Sequence, residues 1–173
     1  MYTKVWAVVL IFIFMASLTG CIGVSEPQNS TYETGIPVRF TRISDGIQIS
    51  LGMTQEQIEQ KLGSGKLGYP FANHYVYDDI SVLFRDDAVS VIFMECLNWS
   101  IAGISVGNDI QKVFDTFGDV TIFDSANEVD NLNDIENLDN ARILVTRGTE
   151  NIIFSTIFTI NEHREIETIT LGW

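Results

Sequence analysis

The 173-residue chain holds two cysteines, Cys21 and Cys96, and two histidines, His74 and His163, so thiol and imidazole chemistry has few places to occur. Neither histidine has a second histidine, a cysteine or a paired acid at the spacing a zinc site needs, and no metal site is expected. His74 opens a strand-like segment and His163 sits in a polar turn, positions that suit exposed structural roles. Cys96 lies in the apolar run Val91-Ile92-Phe93-Met94-Glu95-Cys96-Leu97. A thiol there acts as a small buried hydrophobe and lacks the electropositive, accessible setting of a nucleophile. There is no Gly-x-Ser-x-Gly elbow and no dinucleotide fingerprint, and Gly63-Ser64-Gly65-Lys66 lacks the upstream strand and glycine spacing of a phosphate loop. The expectation is a chain without enzymatic activity and without a cofactor.

Cys21 carries a different chemistry. Met1 to Lys4 bring one positive charge, Val5 to Ala16 are uninterrupted apolar residues, and Leu18-Thr19-Gly20-Cys21 follows with small residues before the cysteine. This is the layout of an export signal, and the tetrapeptide resembles a bacterial lipobox, which is cut before a cysteine whose thiol then takes lipid. The apolar run is shorter than the roughly 20 residues of a membrane-spanning helix and is followed at once by Gly20, Gly23, Glu26 and Pro27. Residues 1–20 are therefore expected to be removed, leaving the chain lipid-anchored through Cys21. More than one acyl chain is required, because a single chain binds a membrane only marginally. Ile22 is not the aspartate that, by analogy, retains lipoproteins in the inner membrane. The outer membrane is expected in a two-membrane host, and the outer face of the cytoplasmic membrane in a one-membrane host.

Cleavage takes Lys4 with it, so the mature chain holds 9 of the 10 Lys+Arg against all 23 Asp+Glu, a formal charge of −14. Such a charge repels nucleic acid phosphates and anionic headgroups, which excludes nucleic acid as a partner and keeps the body off the lipid surface. With Cys21 lipidated, Cys96 has no disulfide partner, and an exported chain of this kind must be held together by its core. The 173 residues less 20 leave 153, enough for one domain with a real core. Residues 21–45, with Ser25, Glu26, Pro27, Gln28, Asn29, Ser30 and Thr31, read as the lipidated cysteine and a flexible tether, and 46–173 as the folded domain.

The elements of that domain repeat. Ile49-Ser50-Leu51-Gly52 through Leu62-Gly63 aligns without gaps, at an offset of 55, with Ile104-Ser105-Val106-Gly107 through Phe117-Gly118. Thr54 and Asp109 suit helix N-caps, Gln57 completes a capping box, and Ile58/Leu62 and Val113/Phe117 share a helix face. Gly63 and Gly118 suit a left-handed stop. Strands are expected at 75–77, 80–85 and 89–97 after the first helix, with Asp86-Asp87 as a tight turn, and at 142–146, 152–160 and 165–171 after the second. The predicted fold is α+β, two tandem units (46–100 and 101–173), each a short helix packed on an antiparallel β-meander. Along Ile152 to Ile160 one face reads as buried and the other as mixed.

Between the units' elements, Asp124 to Asn140 concentrate Asp124, Glu128, Asp130, Asp134, Glu136 and Asp139 without a lysine or arginine. This reads as a solvated loop, with room for a helical turn, or as a calcium-binding loop, although the acids miss the alternating positions of an EF-hand. The aromatic residues Tyr69, Phe71, Tyr75, Tyr77, Trp99 and Trp173 fill the core or line a binding face. Tyr75, Tyr77 and Trp99 are the candidate contact residues, with Asp78 and Asp79 drawing that region toward solvent.

At Gly52-Met53-Thr54-Gln55-Glu56-Gln57-Ile58, followed by Leu62-Gly63, the chain resembles the small outer-membrane assembly lipoproteins of the BamE (small protein A) type, which carry a lipobox and a compact helix-plus-sheet body. The tandem duplication resembles the β-lactamase-inhibitor-protein-like fold, in which two such units present a sheet surface to a partner. The proline usual after the Leu-Gly stop is replaced here by Ser64-Gly65. The resemblance implies a non-enzymatic cell-envelope lipoprotein that binds or assembles with another envelope protein. The alternative is a module for a small ligand, calcium or a cell-wall glycan.

Overall fold

The computed structural model of the chain describes residues 39–68, 73–118, 120–124, 127–135, 138, 141–149 and 152–173. The expected signal peptide, Cys21, the tether as far as residue 38, Tyr69 and Phe71 lie outside the described residues.

Most of the described chain is extended. The strands are β1 (Arg39–Arg42), β2 (Gln48–Ser50), β3 (Lys66–Leu67), β4 (His74–Tyr77), β5 (Ile80–Arg85), β6 (Ala88–Met94), β7 (Trp99–Ser100), β8 (Thr121–Asp124), β9 (Asn127–Val129), β10 (Ala141–Thr149), β11 (Ile152–Ile160) and β12 (Ile166–Gly172). The helices are α1 (Gln55–Leu62) and α2 (Gln111–Phe117), with a single 3₁₀ turn at Leu132–Asp134. One sheet has the order β2-β1-β7; the other runs β3-β4-β5-β6-β12-β11-β10-β8-β9, and every pairing is antiparallel.

This overturns the expected α+β class of two helix-on-meander units. The protein is mostly β, with twelve strands among the described residues, and its helices of 8 and 7 residues are too short to form a layer. The physical cause is strand pairing: a sheet ending at β6 and another ending at β12 would each expose a row of unpaired N–H and C=O groups. Instead β6 and β12 pair from Ile169↔Met94 to Gly172↔Val91, and the two sets of strands become one sheet. The strands missed from sequence, β1, β2, β3, β7, β8 and β9, are two to four residues long, too short for an alternating pattern to register. The tether assignment also ends too late: β1 belongs to the folded body, and Phe40 at its centre is fully buried.

The repeated segments do follow matching local paths. Gly52 and Gly107 turn the chain at φ +81 and +79, and Gly63 and Gly118 end the helices at φ +81 and +70, a region open to glycine but strained for other residues. The capping box forms at α1, where Thr54 Oγ1 accepts from the Gln57 N–H at 3.3 Å and Gln57 Oε1 accepts from the Thr54 N–H at 2.9 Å. At α2 the N-cap position is Ile110, which makes no side-chain cap bond; the expected cap Asp109 stands one residue before it, two before the helix start, with its Oδ1 accepting from the Gln111 N–H at 2.7 Å. Asp86 and Asp87 form the expected tight turn, at φ 51 and 61, between paired Arg85 and Ala88.

Period-two alternation then sorts the large sheet into two faces. Cross-strand pairing lines up Tyr77, Ile80, Met94, Ile169, Phe158, Ile143 and Ile122 in one row, and all are buried. A neighbouring row holds Val82, Ile92, Leu171, Thr156 and Val145, also buried. The helices cover this side: Phe117 of α2 meets Phe158 at 6.0 Å between ring centroids, and Ile58 and Val113 join the same core. Phe158 stands in this row between Ile169 and Ile143, with no exposed surface. Phe158→Ala is expected to cost about 3–5 kcal/mol, the usual loss for a large core aromatic, read as a drop in the urea midpoint with an unchanged slope.

Candidate docking face

The other face of the nine-stranded sheet is built from the alternate residues of the same strands. Val76, Ser81, Phe93, Thr170, Ile157, Leu144 and Thr121 pair one to the next across β4, β5, β6, β12, β11, β10 and β8. A second row runs Leu83, Val91, Gly172, Ser155 and Thr146. Every residue in these two rows keeps solvent exposure, whereas most of their described neighbours along the strands are buried. Ile153, two residues before Ser155 on the same face, is 61% exposed. The centre of the face is thus aliphatic and aromatic, interleaved with serine and threonine, and carries no charge. It is the mixed face read along β11, extended by register across the sheet.

Polar order on the face is local. The Thr159 and Thr168 hydroxyls, opposite each other on β11 and β12, lie 2.6 Å apart in a hydrogen bond. Arg142 and Phe123 follow in the same row on β10 and β8. His74 lies beside the second row, opposite Leu83, with its ring edge-on to Phe93 at 6.1 Å. Both of its ring nitrogens are buried without a hydrogen-bond partner.

One corner of the face is a depression of about 260 Å³ lined by Val76, Asp78, Asp79, Ile80, Ser81, Phe93, Glu95 and Cys96. Asp78 and Asp79 form the turn between β4 and β5, Asp78 at φ 46, a left-handed value that aspartate tolerates better than most residues. Asp79 is held in place from inside: its Oδ1 accepts from the Trp99 indole N–H at 2.8 Å and its Oδ2 from the Asn98 amide at 3.3 Å. Its backbone carbonyl accepts from the Cys96 thiol at 3.0 Å. Burial first, and then the nearby Asp79 charge, pushes the Cys96 thiol above its ordinary value. The sulfur is therefore held as a neutral, hydrogen-bonded thiol, in keeping with a packing role.

The residues singled out by sequence are placed elsewhere. Trp99 is fully buried, with the Arg42 guanidinium 5.6 Å from its ring centroid. Tyr77 is 3% exposed and belongs to the core row, and Tyr75, half-buried on the same side, packs edge-on against Phe84 at 5.7 Å. Strand parity thus puts all three on or toward the core, and the docking face takes Phe93 and Phe123 instead. The acidic segment is not a plain loop. Its described parts include the end of β8, strand β9 and the 3₁₀ turn, Ile135 is buried, and Asn133 Oδ1 accepts from the Arg164 guanidinium at 2.9 Å. Among the described residues no three His, Cys, Asp or Glu side chains converge as a metal ion requires. No described helix is long and apolar enough to cross a membrane.

Compared with known proteins, the chain matches no family model, and no curated protein and no solved structure is similar to it. The resemblance to the BamE and inhibitor-like groups therefore rests on the repeated motif alone.

The Tyr77 hydroxyl has no hydrogen-bond partner, and desolvation, followed by the Glu59 and Tyr75 charges, raises its pKa from 10.0 to about 12. The unfolded phenol ionises near pH 10, while the folded one keeps its proton to about pH 12, so stability is complete below pH 10 and falls as pH rises through that window. Tyr77→Phe removes an unsatisfied buried group. It is expected to gain about 1 kcal/mol at neutral pH and to flatten the alkaline loss, measured by urea unfolding between pH 7 and pH 11.

Proposed function

We propose that this protein is a non-enzymatic lipoprotein of the cell envelope that docks another envelope protein on the open face of its large sheet, whose centre carries no charge. The observation that carries the reading is the contrast between the two faces. One is sealed by helices and core, whereas the other offers Leu83, Val91, Phe93, Ile157 and Leu144 to solvent in rows interleaved with hydroxyls. Monomeric proteins seldom leave contiguous apolar surface uncovered, and an apolar centre with hydroxyl groups at hand is the composition of a partner-binding surface. The lipobox-like tetrapeptide and the preceding apolar run support the envelope location, and the formal charge of −13 argues against nucleic acid.

Anchoring has a direct test. Mass spectrometry of the mature chain is expected to find Cys21 as the first residue, carrying acyl groups, and Cys21→Ser is expected to move the protein out of the membrane fraction. An N-terminus at any other residue would defeat the anchoring reading.

Docking is tested in intact cells with a photo-crosslinking residue at Thr170, in the centre of the face, and a second at Gln60, on the exposed side of α1. A discrete heteroadduct is expected from position 170 and not from position 60, and Ile157→Glu in the same chain should abolish it. Equal labelling from both positions, or an adduct indifferent to Ile157→Glu, would defeat the reading.

A further inference from the structure

Resting on the docking reading above, we infer that the partner anchors on this face through a basic side chain, an arginine or lysine, seated in the corner depression formed by Val76, Ser81 and Phe93. The apolar row does not end in more apolar surface at this corner. It ends among the carboxylates of Asp78, Asp79 and Glu95, which border the depression together with Cys96 and Ile80. No cation lines it, and none of the three carboxylates is ion-paired with a described residue. Arg42, whose guanidinium feels the charges of Asp78 and Asp79, is committed to Asp45 at 2.7 Å. Lys66, opposite Val76 one strand further out, makes no ion pair among the described residues.

The shape of the charge matches one kind of visitor. A long cationic side chain buries its methylene stem on apolar surface while its head stays polar. Phe93 and Val76 line the depression and supply that surface, and Asp78, Asp79 and Glu95 line it with them, so an aromatic ring and acidic residues meet at one place. Asp79 is preorganised for this: two N–H donors from Trp99 and Asn98 fix its carboxylate, and a carboxylate has lone pairs to spare beyond those two bonds. A chain with 23 acids against 10 bases also steers cations toward itself over a distance, most strongly at low salt. An acidic or neutral anchor would leave the three charges desolvated and unpaired, which is costly.

The experiment uses the full chain and two ten-residue peptides of alternating valine, threonine and tyrosine, identical except for arginine or glutamine at the centre. Binding is followed by backbone amide shifts and titration. The arginine peptide is expected to bind at least about tenfold more tightly, to shift Val76, Ser81, Phe93 and Glu95, and to lose that advantage as salt rises. The pair Asp78→Asn and Glu95→Gln, which leaves Asp79 in place, should cut the advantage of the arginine peptide at least severalfold. Asparagine accepts the left-handed backbone at position 78 and Glu95 is exposed, so the variant keeps its fold. Ile157→Glu, remote along the row, should weaken both peptides alike. Equal affinity of the two peptides for the unmodified chain, no binding by either, or an arginine preference undiminished by Asp78→Asn with Glu95→Gln would overturn the inference. An envelope crosslink lost on Ile157→Glu but untouched by the Asp78/Glu95 pair would overturn it while leaving the docking reading intact.

Discussion

Everything in this molecule depends on the antiparallel pairing of Val91–Met94 with Ile169–Gly172, which joins β6 to β12. Without it the strands on either side would form two separate sheets, each with a bare central edge of unpaired backbone groups. With it, a single register runs from β4 to β8, and the core residues of every strand fall into shared rows beneath the helices. Because side chains alternate at period two, a slip of one residue at this junction would turn Met94 and Ile92 outward and Phe93 and Val91 inward. Burial of Ile92, Met94, Ile169 and Leu171, none with exposed surface, opposes that slip.

The same constraint makes the docking face. A face becomes continuous only when adjacent strands agree on parity, and here Phe93, Thr170, Ile157 and Leu144 come into line because β6, β12, β11 and β10 share one register. Side chains on the core side are large and aliphatic or aromatic. On the outer side many are serine, threonine or glycine, which keeps that surface low and accessible. The corner at Asp78 and Asp79 is tied to the interior by the Trp99 indole, so the most charged part of the face is also among its better anchored parts. In the proposed envelope setting, a strongly acidic body would stand off an anionic bilayer and leave this surface free to meet a partner.

Aromatic residues show how far composition misleads about surfaces. Tyr75 and Tyr77 lie close in sequence to Asp78 and Asp79, and that proximity to charge points to exposure. Strand parity overrides proximity: Tyr77 faces the same way as Ile80, its cross-strand partner, and both are buried. Trp99 uses Asp79 from below, satisfying its indole N–H while burying the ring, which is how a tryptophan is held in a core. The acid that pointed toward solvent was in fact the acceptor that let the aromatic residue go inside.

The sequence alone determined the local events whose causes lie within a few residues. These are the capping box at Thr54 and Gln57, the glycine turns and stops of the two repeated segments, the aspartate turn at 86–87, the strands β5, β6, β10, β11 and β12, whose alternation is long enough to see, and β4, marked by its aromatic and β-branched residues. The apolar run ending at Cys21 is equally a property of adjacent residues. Tertiary structure alone decided that the strands of both halves form one sheet, that the short segments around Phe40, Ile49, Trp99 and Ile122 become strands, and which face stays open. Those outcomes depend on which distant edge each strand meets, and backbone hydrogen bonding between strands carries no mark in the residue types that make it.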